Sequence, residues 1–212
     1  MTMAVAHDDP HHLGMLAEAG THDGPAPKRI VTGFGFWIFL LSDMVMFSCF
    51  FAAYAVLLGQ TAGGPSGAEL FSLRNVAVET ICLLLSSFAC GMASIAMEER
   101  NHRWFQIAMV VTCVLGLAFL SIEFHEFADL VARGAGPTRS AFLSAFFTLV
   151  GCHGLHVSGG ILWLLTMMAQ VFAKGFRADI QRRFLCFALF WHALDIIWVA
   201  VFSVVYLLGS AA

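Results

Sequence analysis

Five runs of apolar residues, each long enough to cross a bilayer, dominate this chain of 212 residues. A helix needs about 20 apolar residues to span the hydrocarbon core. The runs lie at about 32–58, 75–97, 104–132, 141–172 and 184–208. In lipid a spanning segment must satisfy its own backbone groups, which excludes a lone strand and makes each run a helix. The expected fold is an all-α integral membrane protein with five transmembrane helices in one domain, 32–212. Composition agrees: 59% of residues are hydrophobic and 12% charged, against about 25% charged in a soluble domain. The basic residues are few and scattered between apolar runs, which argues against nucleic-acid binding.

Residues 1–31 form a polar, histidine-rich segment containing Asp8, Asp9, Pro10, His11, His12, His22 and Asp23. Its low hydrophobicity and Pro/Gly content predict a disordered cytoplasmic tail. The histidines have no fixed spacing, so a solvated tail is favoured over a metal site. No charged-then-apolar pattern opens the chain, and no cleaved leader is expected. The segments Thr61–Gly67, Glu98–Arg103, Gly134–Thr138 and Lys174–Arg183 read as turns and loops from their Gly, Pro and charge content. Lysine and arginine set the orientation. Lys28, Arg29, Arg100, Arg103, Lys174, Arg177, Arg182 and Arg183 fall on one side, and Arg74, Arg133 and Arg139 on the other. The expected N-terminus is cytoplasmic and the C-terminus periplasmic.

All six cysteines lie in or beside apolar runs with no CxxC, and they read as small buried hydrophobes. Small residues recur at four-residue spacing: Ser86, Cys90 and Ser94, beside Ser87 and Gly91, and Gly154 and Ser158, beside Gly159 and Gly160. Such faces let membrane helices approach closely. There is no internal repeat, and an odd number of spans argues against a two-fold inverted transporter.

The spans also hold Asp43, Glu79, Glu123, His125, Glu126, His153, His156, His192 and Asp195, with no lysine or arginine deep among them. Ionisable groups in hydrocarbon are costly unless they face protein, water or a polar partner. The default state is protonated acids hydrogen-bonded to neutral imidazoles. At 1.5 Å per residue, Asp43, His153, His156, His192 and Asp195 form a midplane layer, with Glu79, Glu123, His125 and Glu126 nearer the outer face. His153 with His156, His192 with Asp195, and Glu123 with Glu126 are spaced i, i+3, so each pair shares a helix face.

These groups admit three readings. Histidines bind haem or metal, but a pair on one helix is poor for a haem, and the Glu-x-x-His motif of binuclear carboxylate sites is absent. Alternatively the groups relay protons, or they are hydrogen-bonded glue between helices. Metal binding ranks lowest, and the sequence does not separate the other two.

Several motifs resemble one family. The first span, Phe34-Gly-Phe-Trp-Ile-Phe-Leu-Leu-Ser-Asp43 continuing to Phe50-Phe-Ala-Ala-Tyr54, resembles the opening helix of subunit III of the haem–copper respiratory oxidases. Ser140–Phe147 leading into Gly151-Cys-His-Gly-Leu-His-Val157, and Trp191-His-Ala-Leu-Asp-Ile-Ile-Trp198, resemble its two most specific signatures, together with Glu123. The likeness runs from about residue 33 to the C-terminus and is greatest to the bo-type ubiquinol oxidases. Five spans and the Thr61–Pro65 and Gly136–Ser140 loops are similar to the quinol branch. Asp43 stands where the cytochrome c oxidase branch carries a carbodiimide-reactive glutamate. It is one methylene shorter, so that reactivity is not carried over.

What the resemblance implies is an accessory subunit of a proton-pumping terminal ubiquinol oxidase in a bacterial inner membrane. Haem and copper would belong to subunit I. This chain would carry no cofactor or metal, bind phospholipid, and support proton uptake and stability of subunit I, with subunits II and IV as further partners. Asp43, Glu79, Glu123, His153, His156, His192 and Asp195 are the candidate residues of a buried polar network. Structural pairing is placed ahead of a proton-antenna role. The alternatives are subunit III of a cytochrome c oxidase, an autonomous proton channel or transporter, and an intrinsic haem protein.

Overall fold

The structure, a computed structural model, describes residues 28–63 and 72–211. The tail up to residue 27 and most of the first loop lie outside the described residues. Five long helices follow one another: α1 (Lys28–Leu57), α2 (Leu73–Glu98), α3 (His102–Ala132), α4 (Ala141–Lys174) and α5 (Ala178–Val201). A π-helical turn, Phe202–Leu207, and a last helical turn, Leu208–Ala211, continue α5. All five are long and apolar enough to cross a membrane, and the described residues include no strand.

Local chemistry explains where the helices stop. Asn101 caps α3 by accepting from Trp104 N at 3.3 Å, and Ser140 caps α4 by accepting from Leu143 N at 3.2 Å. The end of α2 closes in a Schellman turn, with Asn101 N donating to Ala96 O and Arg100 N to Met97 O. That turn puts Arg100 in the left-handed region, at φ 55°. The same closure ends α3, where Gly134 (φ 75°) takes the left-handed position without a Cβ clash. Two expected boundaries shift: α1 begins at Lys28, inside the segment 1–31 read as a disordered tail, and Ala178–Arg183, read as part of a loop, forms the first turns of α5. Asp179, Gln181, Arg182 and Arg183 are polar, which ends an apolar run, yet they are competent helix formers.

The helices α2 and α3 pack along each other as an antiparallel pair. The enclosed helix is α5, which touches α1, α2 and α4, while α3 closes the bundle from α2 to α4. On the rim, α1 buries only the stripe Leu40, Phe47 and Tyr54, at seven-residue spacing. The outward residues of α2 and α3 are large and apolar (Ile81, Leu84, Phe88, Val110, Val114, Leu117), as a lipid-facing surface requires.

Three side-chain bonds tie α5 to α2. Trp191 Nε1 donates to Ser86 Oγ at 3.1 Å, His192 Nδ1 lies 2.7 Å from Ser87 Oγ, and Trp198 Nε1 donates to Thr80 Oγ1 at 3.1 Å. The register runs antiparallel, 86 against 191 and 80 against 198. The Trp191 ring fills the space beside two glycines. A Cβ at Gly160 would lie 2.9 Å from Trp191 Cζ3, and one at Gly116 3.1 Å from Cη2. The expectation of close helix approach at the small-residue faces is therefore corrected in part. A Cβ at Gly91, Gly154 or Gly159 would meet nothing within 4 Å. At Gly116 and Gly160, glycine makes room for an indole ring rather than for a second backbone. The cysteines are all free; Cys90, Cys113 and Cys186 are buried as expected, whereas Cys82 and Cys152 are half-buried and Cys49 is exposed.

Candidate functional site: the buried ionisable groups

Helix packing splits the expected midplane layer into separate sets and keeps the three glutamates of the other layer together. On the α1–α4 seam, Asp43 Oδ2 lies 3.8 Å from His156 Nε2. His156 Nδ1 donates to the carbonyl of Cys152, one turn back, at 2.8 Å. That bond places a proton on Nδ1, so in the neutral ring the Nε2 lone pair faces the carboxyl group. The separation exceeds a hydrogen bond. The pair is partly open, with side chains 17% (Asp43) and 23% (His156) exposed.

His153 is fully buried, at 0% exposure. Its ring centroid lies 5.2 Å from that of Trp198, 5.8 Å from Phe119 and 6.4 Å from Phe47. Neither ring nitrogen has a hydrogen-bond partner among the described residues. Two histidines expected to act together thus occupy different surroundings. His156 meets a carboxyl group, and His153 sits in an aromatic cage.

A second set joins α5 to α2. His192 pairs with Ser87, and Asp195, one turn on, is buried beside the same serine. The third set lies at the other end of the bundle. Glu79 of α2 interacts electrostatically with Glu123 and Glu126 of α3. All three are buried, Glu79 at 0% and Glu123 at 2% exposure. Tyr206, in the π-helical turn, is near enough to these three acids and Tyr54 to interact with them electrostatically. The Tyr54 hydroxyl donates to the carbonyl of Val205 in that turn at 3.2 Å. His125, placed with the glutamates from its depth, is exposed and turns away from them. Among the described residues the expected acid–imidazole hydrogen bonds do not form: only Asp43 approaches a histidine, and at 3.8 Å.

The hydroxyl partners were not among the expected site residues. Ser86 and Ser87 read only as part of a small-residue face for helix approach, Thr80 does not stand out, and nothing local shows that α5 lies against them. Tyr54 and Tyr206 carried a usable signal, since they are the chain's two tyrosines and both fall inside spans. A phenol needs a partner when buried. Among the described residues, no three His, Cys, Asp or Glu side chains converge to hold a metal ion.

Five long apolar helices that turn most of their acids and histidines inward define a multi-pass helical membrane protein with a buried polar seam. The chain belongs to the cytochrome c oxidase subunit III family, which matches residues 12–210. It is 49% identical over 200 residues to cytochrome bo(3) ubiquinol oxidase subunit 3 of Pseudomonas aeruginosa, covering 94% of this chain and 96% of that protein. The corresponding protein of Buchnera aphidicola from Acyrthosiphon pisum is 39% identical over 194 residues, covering 92% and 94%. Quinol oxidase subunit 3 of Bacillus subtilis is 39% identical over 197 residues, covering 91% and 97%. The family resemblance drawn from the first span and the two signatures is the correct one. As a family member the chain is a subunit of an oxidase complex and has other oxidase subunits as partners.

Proposed function

We propose that this chain is the accessory subunit III of a proton-pumping terminal ubiquinol oxidase in a bacterial inner membrane. The observation that carries this reading is its near-full-length similarity to proteins named quinol oxidase subunit 3, from Pseudomonas to Bacillus. Its N-terminus is cytoplasmic and its C-terminus periplasmic, by the lysine and arginine balance of the loops. Ubiquinol is oxidised and oxygen reduced to water in subunit I, which holds the haems and copper. This chain holds no redox centre. It packs on subunit I, has subunits II and IV as neighbours, and binds phospholipid.

In this reading the ionisable groups serve mainly to pair helices. Ser87 with His192 and the Glu79–Glu123–Glu126 set each join α2 to a different helix, and Asp43 with His156 joins α1 to α4. Asp43 and His156 are the best placed to exchange protons, because they are partly open at the bundle surface. Support for proton uptake by subunit I is assigned to that pair.

Affinity-tagging the full chain and purifying it in mild detergent tests the proposal. A haem protein should co-purify, and the preparation should oxidise ubiquinol. Turnover with reduced cytochrome c and none with quinol would make it subunit III of a cytochrome c oxidase. Proton conductance of the chain alone in liposomes, with no haem protein bound, would make it a channel.

A further inference from the structure

We propose that a notch between the start of α2 and the last turns of α3 is a quinol-binding site on this subunit, apart from the site of oxidation. The notch has a volume of about 350 Å³ and is lined by Asn75, Val78, Ser121, Ile122 and His125. Asn75 is the third residue of α2. His125 lies ~10 Å before the end of α3 by helix rise, with Ser121 one turn deeper. The notch therefore runs from the membrane surface into the hydrocarbon. Elsewhere the outward sides of these two helices carry large apolar residues, as at Ile81, Leu84, Val114 and Leu117. Three exposed polar side chains at this one place need a reason, because a polar group facing lipid is costly without a partner.

The chain itself supplies no such partner to two of them. Among the described residues, no hydrogen bond or ion pair engages the side chain of Asn75 or His125. Glu123 and Glu126, beside His125 in the chain, are turned inward. Asp129, one turn on, is held by Arg133 at 2.6 Å. The Ser121 hydroxyl donates to the carbonyl of Leu117 at 2.7 Å, which leaves its oxygen able to accept.

These residue types select the ligand. An amide and a neutral imidazole each carry a donor and an acceptor. They can donate to the carbonyl oxygens of a quinone and accept from the hydroxyls of the corresponding quinol, so both redox forms fit. Val78 and Ile122 flank a flat ring. Ile81, one turn below Val78, continues the apolar wall towards the midplane for a polyprenyl tail. The residues that line the notch include no lysine or arginine, so a phosphodiester headgroup meets no counter-charge there. A quinol diffusing in the bilayer enters sideways, and the site holds it beside the complex without oxidising it. The choice of quinol over another neutral hydrogen-bonding ring rests on the reading of the complex as a quinol oxidase.

The test uses the purified complex in nanodiscs with a ubiquinone analogue that carries a diazirine on its tail next to the ring. The same tail without the ring is the control. Labelled peptides are mapped after illumination, and label on subunit I, where quinol is oxidised, is the internal reference. The ring-bearing probe should label the start of α2 and the stretch around Ser121 and His125, and the tail alone should not. His125→Leu should lower that label about fivefold relative to subunit I, the loss that goes with one neutral hydrogen bond. His125→Gln, which keeps a donor and an acceptor, should retain most of it. Haem absorbance of each variant shows that the complex is assembled. Equal label from the tail alone, or indifference to His125→Leu, would overturn the proposal. Quinol turnover with label confined to other subunits overturns this site alone, and means that a protein segment covers the notch. Turnover with reduced cytochrome c and none with quinol overturns the reading beneath it.

Discussion

His153 and His156 lie three residues apart on α4, yet one ring is sealed among aromatics and the other faces a carboxyl group. His153 is stacked at a tilt on Trp198 and edge-on to Phe119 and Phe47, so its work is packing. Phe has a similar shape and volume. His153→Phe is therefore expected to leave assembly and turnover intact, with a stability change under about 1.5 kcal/mol. Loss of quinol oxidation in a fully assembled His153→Phe complex would give the imidazole a chemical role instead. Asp43 makes the opposite case. Asp43→Asn keeps the shape beside His156 Nε2 and removes an exchangeable proton, so the complex should assemble fully. Steady-state oxygen uptake measured across pH then separates the two roles. Slower turnover at alkaline pH identifies an antenna, and unchanged rates leave only helix pairing.

At the level of helices, one ring of α5 meets α2, α3 and α4. Trp191 is buried, held by Ser86 through its N–H, and pressed against Gly160 and Gly116. A methyl group at Gly160 has no flexible neighbour to displace. Gly160→Ala should cost about 1–3 kcal/mol and lower the melting temperature of the complex. Gly154→Ala, with nothing within 4 Å of its Cβ, should not. Ser86→Ala leaves a buried indole N–H without its acceptor, at a cost of about 0.6 kcal/mol on average for such bonds between membrane helices. The π-helical turn at Phe202–Leu207 is also an element-scale device. It interrupts the regular ladder just after Val201, and the Tyr54 hydroxyl takes up the carbonyl of Val205. Wide turns of this kind mark functional segments of helices, and this one brings Tyr206 to the three buried glutamates.

For the molecule as a whole, orientation is the property to test first. Alkaline phosphatase fused after the C-terminus should be active, and fused into the Glu98–Arg103 turn it should be inactive. The reverse pattern would overturn the assigned topology. The number and nature of the helices were legible in the chain, because a bilayer demands length and apolarity and the residues supply both locally. The family was legible too, since its signatures are contiguous motifs. The start of α5 was not, because polar helix formers at Ala178–Arg183 look like loop when apolarity is the criterion.

Site geometry divides in the same way. Spacing alone put Glu123 and Glu126 on one face, since i and i+3 are neighbours on any helix, and the fold turns that face to Glu79. Depth alone suggested a single midplane network of Asp43, His153, His156, His192 and Asp195. The bundle separates it, because residues at equal depth meet only if their helices are adjacent and rotated towards each other. Helix order and rotation are set by packing, such as the fit of Trp191 against two glycines, and not by any local run of residues. The amino-acid sequence thus determined five membrane helices, their motifs and their inventory of acids and histidines. Tertiary structure alone decided that Asp43 meets His156, that His192 meets Ser87, and that His153 packs among aromatic rings. Those pairings are long-range contacts between separate helices, which no local periodicity encodes.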